Sequence, residues 1–85
     1  MNTRMRISNH LSIALTVWVE PWGRDYTMLN GETFELVMER ASTDAFFNVF
    51  FGEAKLDVYE EGDCLDVLVY QEDRLLRVGH NRPGG

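Results

Sequence analysis

Apolar and polar residues alternate along several short segments of this chain, and a two-residue period predicts β-strands. The first such segment is residues 11–19, where the odd positions from Leu11 to Val19 are apolar. Pro21 ends it because proline has no backbone N–H to donate to a neighbouring strand. Four later segments are rich in β-branched and aromatic residues, which favour strands. They are residues 45–51, 55–60, 64–70 and 74–78.

One segment, residues 33–42, fits two different periods. Phe34, Leu36 and Met38 alternate as in a strand, whereas Phe34 and Met38 also fit a helix together with Ala41. We favour the strand, because β-forming segments flank this part of the chain and no convincing helix cap precedes it.

Two tight turns are expected between the last three segments. A turn at Gly62-Asp63 would form a hairpin with Leu56 opposite Val69 and Val58 opposite Val67. An odd loop length would instead turn the apolar residues of one strand towards water. The even length therefore predicts that these apolar side chains share one inner face.

A second turn at Glu72-Asp73 would continue the same face, with Val69 opposite Leu76 and Val67 opposite Val78. The predicted inner residues of the three strands are Leu56, Val58, Leu65, Val67, Val69, Leu76 and Val78.

Short strands at this spacing, without helices between them, predict an all-β fold: a small antiparallel barrel or sandwich of about six strands. With 85 residues the chain is long enough for one domain. We assign residues 10–80 to that single β domain, residues 1–9 to a flexible lead-in and residues 81–85 to a flexible tail.

The segment WVEPWGRDYTMLNGE, residues 18–32, fits neither a helix nor a strand easily. One interpretation is structural: Trp22 folds over the end of the core and closes it as an apolar plug. The alternative is a shallow aromatic site for a sugar or another small ligand in an open barrel, formed by Trp22, Arg24 and Tyr26.

The motif W-V-E-P-W-G at residues 18–23, followed by G-E-T-F-E-L at residues 31–36, resembles a group of small bacterial all-β proteins of uncharacterised function. The resemblance covers much of residues 17–38 and, more loosely, the later strands. It implies an all-β fold and no particular activity.

The face opposite the predicted inner one also carries large apolar side chains. They are Tyr59, Leu68, Tyr70 and Leu75, with Phe46 and Phe50 as further members. A contiguous apolar surface of this kind marks a contact surface in soluble proteins, and so short a chain has little material for a second layer. We therefore expect a homo-oligomer, with a dimer favoured, or contact with another protein partner.

Charge and redox character exclude some classes of function. The net charge of −6 disfavours binding to nucleic-acid phosphates, and the acids are concentrated between residues 53 and 73. No run approaches the roughly 18 apolar residues of a membrane span. Because Cys64 is the only cysteine, no internal disulfide can form, and we expect a cytoplasmic protein.

Candidate chemistry is sparse. Two histidines, His10 and His80, and one cysteine are too few for a typical transition-metal site, and phosphate-binding glycine motifs are absent from the sequence. Acidic neighbours should raise the pKa of Cys64 and weaken it as a nucleophile. We expect no metal, no cofactor and no catalytic residue.

The chain ends in Asn-Arg-Pro-Gly-Gly, and small β-grasp carrier proteins also end in Gly-Gly. That fold requires a helix after its first hairpin, for which only residues 33–42 are available. A carrier role is therefore a minor alternative to self-association.

Overall fold

The computed structural model describes residues 2–83, which form eight β-strands and no helix. The strands are β1 (Thr3–Ser8), β2 (Leu15–Glu20), β3 (Arg24–Met28), β4 (Thr33–Glu39), β5 (Phe46–Gly52), β6 (Lys55–Glu61), β7 (Asp66–Gln71) and β8 (Arg74–Leu75). Sheet I has the order β1-β4-β7-β8, and sheet II has the order β3-β2-β6-β5. The all-β prediction is confirmed, and its form is a two-sheet sandwich rather than a closed barrel.

The core is a single apolar layer between the two sheets. Alternate residues of β2, β4, β6 and β7 point into it, and this alternation is the reason that these segments form strands with one buried face. Phe34, Leu36 and Met38 are fully buried, so the strand prediction for this segment is confirmed. Their partners include Val17, Val19, Met28, Leu56, Val58, Val67 and Val69.

The lead-in predicted for residues 1–9 is wrong for most of its length. Thr3–Ser8 form β1, which pairs antiparallel with β4 along its whole length. Met5 and Ile7 pack against the core while Arg4 and Arg6 face solvent. Charged and apolar residues thus alternate in this segment with the two-residue period of a strand.

The first predicted strand is correct only in its second half. β2 begins at Leu15, and the side chains of Leu11 and Ile13 are 50% and 54% exposed. The apolar alternation continues through residues 11–14, but no neighbouring strand pairs with them in the described chain, so they form a loop.

The hairpin predicted at Gly62-Asp63 is also wrong, because β6 and β7 lie in different sheets. Leu56 pairs in parallel with Val17 of β2 and antiparallel with Phe51 of β5. Leu56, Val58, Val67 and Val69 are nonetheless all buried, because both sheets turn their inner faces to the same core.

Residues 62–65 form the crossing between the two sheets. Ser42 donates its N–H to Asp63 O at 2.8 Å, and Leu65 donates its N–H to Glu39 O at 2.8 Å. Leu65 lies in this crossing and is 64% exposed, so its predicted inner position is wrong.

The turn predicted at Glu72-Asp73 is confirmed, with Gln71 paired with Arg74. Both turn residues have positive φ, as hairpins with two-residue loops favour. Leu76 is buried and donates its N–H to Val69 O at 2.8 Å, as expected for facing residues. The expected pairing with Val78 fails, because β8 ends at Leu75 and Val78 is 51% exposed.

After β8 the chain runs along the outer edge of β3. Gly79 donates its N–H to Asp25 O at 2.6 Å, and Thr27 donates its N–H to His80 O at 2.8 Å. Arg82 binds the Asp25 carboxylate through two nitrogens, at 2.9 and 2.5 Å. The tail predicted for residues 81–85 is therefore attached to the sheet at Arg82, and Gly84 and Gly85 lie outside the described residues.

The side-chain hydrogen bonds of Arg82, followed by its charge, lower the pKa of the Asp25 carboxyl, although burial acts in the opposite direction. A carboxyl whose pKa is lowered by folding stabilises the native state above its ordinary pKa of 3.8. This contribution disappears as the pH falls from that value through the lower folded one.

Asn9 connects the loop before β2 to the turn between β3 and β4. Its side-chain amide donates to Ile13 O and Met28 O, both at 2.9 Å, and its Oδ1 accepts the N–H of Leu11 at 2.9 Å. The residue is 1% exposed. Every polar atom of this buried side chain is used, which explains why the chain can bury an asparagine here.

We predict that Asn9→Ala lowers the free energy of unfolding by about 2–3 kcal/mol, because buried backbone groups lose their partners. Urea denaturation measures the change. Ser12→Ala, an exposed position in the same loop, is the control and should have little effect. Equal stability of the Asn9 and Ser12 variants would contradict the assigned role of Asn9.

For the ion pair, we predict that Arg82→Gln reduces the loss of stability between pH 5 and pH 2, since the Asp25 pKa then returns towards its ordinary value. Thermal unfolding at a series of pH values measures the slope. Arg77→Gln removes the same charge from an exposed position nearby and should leave the slope unchanged. Parallel profiles for the two variants would show that the Asp25 pair is not responsible.

Candidate functional site

The segment predicted to fit neither helix nor strand is a β-hairpin. Residues 18–20 complete β2, a turn follows at residues 21–23, and β3 begins at Arg24. Pro21 and Gly23 occupy the turn, where a missing N–H and a positive φ are tolerated. The hairpin therefore holds the aromatic and charged residues of this segment on two paired strands.

Tyr26 does not belong to an open ligand site. It pairs with Val17, and both side chains lie in the core, with Tyr26 only 3% exposed. Burial is the main cause of the raised pKa of its phenol, so the hydroxyl remains protonated. The expectation that Tyr26 lines an accessible site is therefore wrong.

Arg24 and Trp22 contact each other rather than a shared cavity. The guanidinium of Arg24 lies 4.8 Å from the ring centroid of Trp22, and its Nη1 donates to Asp66 Oδ1 at 2.8 Å. Trp22 is 42% exposed and is not part of the core cluster. It covers the Arg24–Asp66 ion pair, which joins the two sheets, instead of plugging the end of the core.

The six residues predicted to form one apolar surface lie on two opposite faces. Phe46, Phe50 and Tyr59 belong to β5 and β6, on the outer face of sheet II. The others, Leu68, Tyr70 and Leu75, belong to β7 and β8, on the outer face of sheet I. The two groups of residues are separated because β6 and β7 are not neighbours. The predicted hairpin is wrong for the same reason.

The outer face of sheet I is mainly polar. Glu35 lies at its centre and binds Arg4 at 3.0 Å and Arg6 at 3.7 Å. Of the three residues predicted to form an apolar surface here, Leu68 and Tyr70 are half-buried beside these groups, and Leu75 is 57% exposed. This face has the character of a solvated surface.

The outer face of sheet II is aromatic near β5. Phe50 and Tyr59 pack edge to face, with ring centroids 5.6 Å apart. Phe46 and Phe50 are 57% and 53% exposed, and Phe51, at the end of the same strand, is 83% exposed. Phe51 pairs with the buried Leu56 but is itself largely uncovered.

A shallow groove of about 440 Å³ crosses this aromatic face. Its lining combines the two aromatic rings with Asn48, Asp57 and Glu61. Asp57 is bound by Lys55 at 3.4 Å, and Glu61 accepts a hydrogen bond from Asn48 at 3.4 Å. The polar groups of the groove are thus engaged with neighbours on the same sheet.

Groups suited to catalysis do not converge in the described chain. Residues 2–83 contain no cluster of three or more His, Cys, Asp or Glu side chains arranged to hold a metal ion. Burial, followed by the charges of Glu60, Asp66 and Asp63, raises the pKa of the Cys64 thiol, in the direction predicted from the sequence. His80 packs edge to face on Phe34, with centroids 5.9 Å apart.

Residues 2–83 contain no helix long and apolar enough to cross a membrane.

No family model matches this chain, and neither a curated protein nor a solved structure matches it. The similarity of residues 17–38 to small bacterial all-β proteins remains a prediction.

We predict that Trp22→Ala lowers the free energy of unfolding by only about 0.5–1 kcal/mol, the size of a partly exposed cation–π contact. Trp22→Phe keeps a ring over Arg24 and should retain most of that stability. Urea denaturation of both variants provides the measurement. A loss of about 3 kcal/mol or more, as for a buried tryptophan, would instead support the plug.

Proposed function

We propose that this protein is a non-enzymatic β-sandwich that self-associates, with β5 of one copy pairing with β5 of a second copy. The observation that carries the proposal is the state of the β5 edge. β5 is the last strand of sheet II, and within residues 2–83 no other segment pairs with its outer side. Its sequence, FFNVFFG, contains neither a charged residue nor a proline.

The other strand edges are protected in the ways that natural sheets use. β1 carries Arg4 and Arg6, whose side chains are 58% and 73% exposed. β8 has only two residues, and β3 is covered by the chain around His80. A long, uncharged, aromatic edge such as β5 therefore calls for a partner strand.

The backbone groups available at this edge can be identified from the pairing of β6. Thr16 donates its N–H to Ala54 O at 3.0 Å, so Ala54 faces β2, and the odd-numbered residues that follow it face β5. Their partners on β5 are the even-numbered residues. The N–H and C=O groups of Phe47, Val49 and Phe51 consequently point to the free edge.

A two-fold antiparallel pairing centred on Asn48 uses these free groups. It places Phe47 opposite Val49 of the second copy, and Phe46 opposite Phe50 of the second copy. Aromatic cross-strand pairs contribute roughly 0.2–1 kcal/mol each, and the two-fold axis supplies two of them. Because the free groups and aromatic side chains of β5 match those of a second β5 strand, a homodimer is favoured over a different protein partner.

We also propose that the protein is located in the cytoplasm. This location is supported by Cys64 being the only cysteine of the sequence, which suits a reducing compartment.

We predict that the protein elutes at twice its chain mass of 9.8 kDa in light-scattering chromatography at about 100 μM. Val49→Pro should give a folded monomer, because it removes an N–H that faces the free edge rather than β6. Phe50→Lys should weaken the dimer because it replaces both Phe46–Phe50 cross-strand aromatic pairs with contacts to a charged side chain. Leu65→Lys, at an equally exposed apolar residue in the sheet crossing, is the matched control and should remain dimeric.

A monomeric wild-type protein at this concentration would contradict the proposal. So would a dimer that survives both Val49→Pro and Phe50→Lys, since its interface would then lie elsewhere. Circular dichroism of each variant distinguishes loss of association from loss of folding. If Val49→Pro unfolds, Phe50→Lys still decides the question, because that side chain lies on the outer face.

A further inference from the structure

The groove of about 440 Å³ on the outer face of sheet II contains two aromatic rings that stand almost perpendicular to each other. The planes of Phe50 and Tyr59 meet at 85°, so the edge of one ring rests on the face of the other. Both rings keep exposed surface, and the uncovered parts of their two faces form a corner that is open to solvent. Because the face of an aromatic ring carries partial negative charge, such a corner attracts a cation.

Two carboxylates flank this corner, one on each side of Tyr59. Asp57 and Glu61 lie two residues before and after it on β6, on the same face of the sheet and about 7 Å away along the strand. Asp57 approaches Lys55 through Oδ2 alone, at 3.4 Å. Glu61 accepts the hydrogen bond from Asn48 through Oε2 alone, also at 3.4 Å. Each carboxylate therefore has one oxygen that accepts no hydrogen bond within residues 2–83.

The charge of the groove matches the character of its rings. Of its five lining residues, all within the described chain, two are acidic and none is basic. The net charge of −6 has the same sign, so the field of the whole protein also concentrates cations near this face. The groove is thus complementary to a ligand that combines an apolar surface with positive charge.

We propose that this groove binds a small organic cation that carries a quaternary ammonium group. Its methyl groups pack on the faces of Phe50 and Tyr59, and its charge is balanced by Asp57 and Glu61. A primary ammonium fits less well, because it is strongly hydrated and the open groove offers it few acceptors in return. The inference does not rest on the β5 dimer, because β5 and β6 of one chain supply the whole lining.

Choline chloride is the probe, titrated at low ionic strength and followed by amide and aromatic chemical shifts. Concentrations up to about 50 mM are needed, because an open groove with two rings supports only weak binding. The expected result is one saturable site per chain, with the largest shifts at Asn48, Phe50 and Tyr59. Dimethylbutanol, in which a tert-butyl group replaces the trimethylammonium group, should bind at least about fivefold more weakly because it has no charge.

Substitution of the ring tests the aromatic part of the site. Tyr59→Leu keeps an apolar side chain but removes one ring face, and we expect choline binding to weaken by about fivefold. Tyr70→Leu makes the same change on the outer face of sheet I and should bind like the wild type. Circular dichroism of both variants checks that the fold is retained.

Substitution of the acids tests the electrostatic part and leaves the core untouched. The double variant Asp57→Asn, Glu61→Gln should weaken choline binding by about fivefold at low ionic strength. Glu72→Gln with Asp73→Asn removes the same charge from the turn between β7 and β8 and should have little effect. This control separates the local carboxylates from the field of the whole protein.

Equal binding of choline and dimethylbutanol would overturn the proposal, since the groove would then select an apolar group rather than a cation. Unchanged affinity in the acidic double variant, or shifts centred on Trp22 instead of Tyr59, would do the same. Binding of a lysine-rich peptide to this face without any binding of choline would also overturn it, by identifying a peptide as the ligand. A monomeric wild-type protein that binds choline would leave this inference intact while refuting the β5 dimer. A dimer that does not bind choline would have the reverse meaning.

Discussion

The single apolar layer shared by sheets I and II is the constraint on which the rest of the structure depends. Each sheet has one face to bury, and among residues 2–83 the other sheet covers that face. Phe34, Met28 and Met38 are completely buried in this layer. Both outer faces are consequently left without cover from the described chain, so their character depends on solvent or on other molecules.

The two sides of the sandwich are closed to different extents. On the side of β3 the chain around His80 adds backbone hydrogen bonds, and Arg82 holds it in place through Asp25. On the opposite side the edges of β1 and β5 remain separate, and the layer opens into a cleft of about 580 Å³ whose lining includes Leu11 and Phe51. The free edge of β5, proposed for self-association, lies on this less closed side.

The charged and aromatic residues that first suggest a binding loop have structural partners instead. Arg24 crosses between the sheets to Asp66, and Trp22 covers that pair. The proposed contact surface lies instead at the free edge of β5. The alternation of Met5 and Ile7 with arginines indicated β1.

The sequence by itself determined the buried faces of β2, β4, β6 and β7, the strand character of residues 33–39 and the turn at Glu72-Asp73. These properties depend on the two-residue period and on turn chemistry, which act within a few residues of the chain. Only the tertiary structure decided that Leu56 pairs with Val17 in a parallel arrangement and that β6 and β7 separate into two sheets. Strand partners are determined by packing between segments that are distant in the sequence. The alternation of buried and exposed residues along a strand is the same whichever strand lies beside it, so the alternation does not identify the partner.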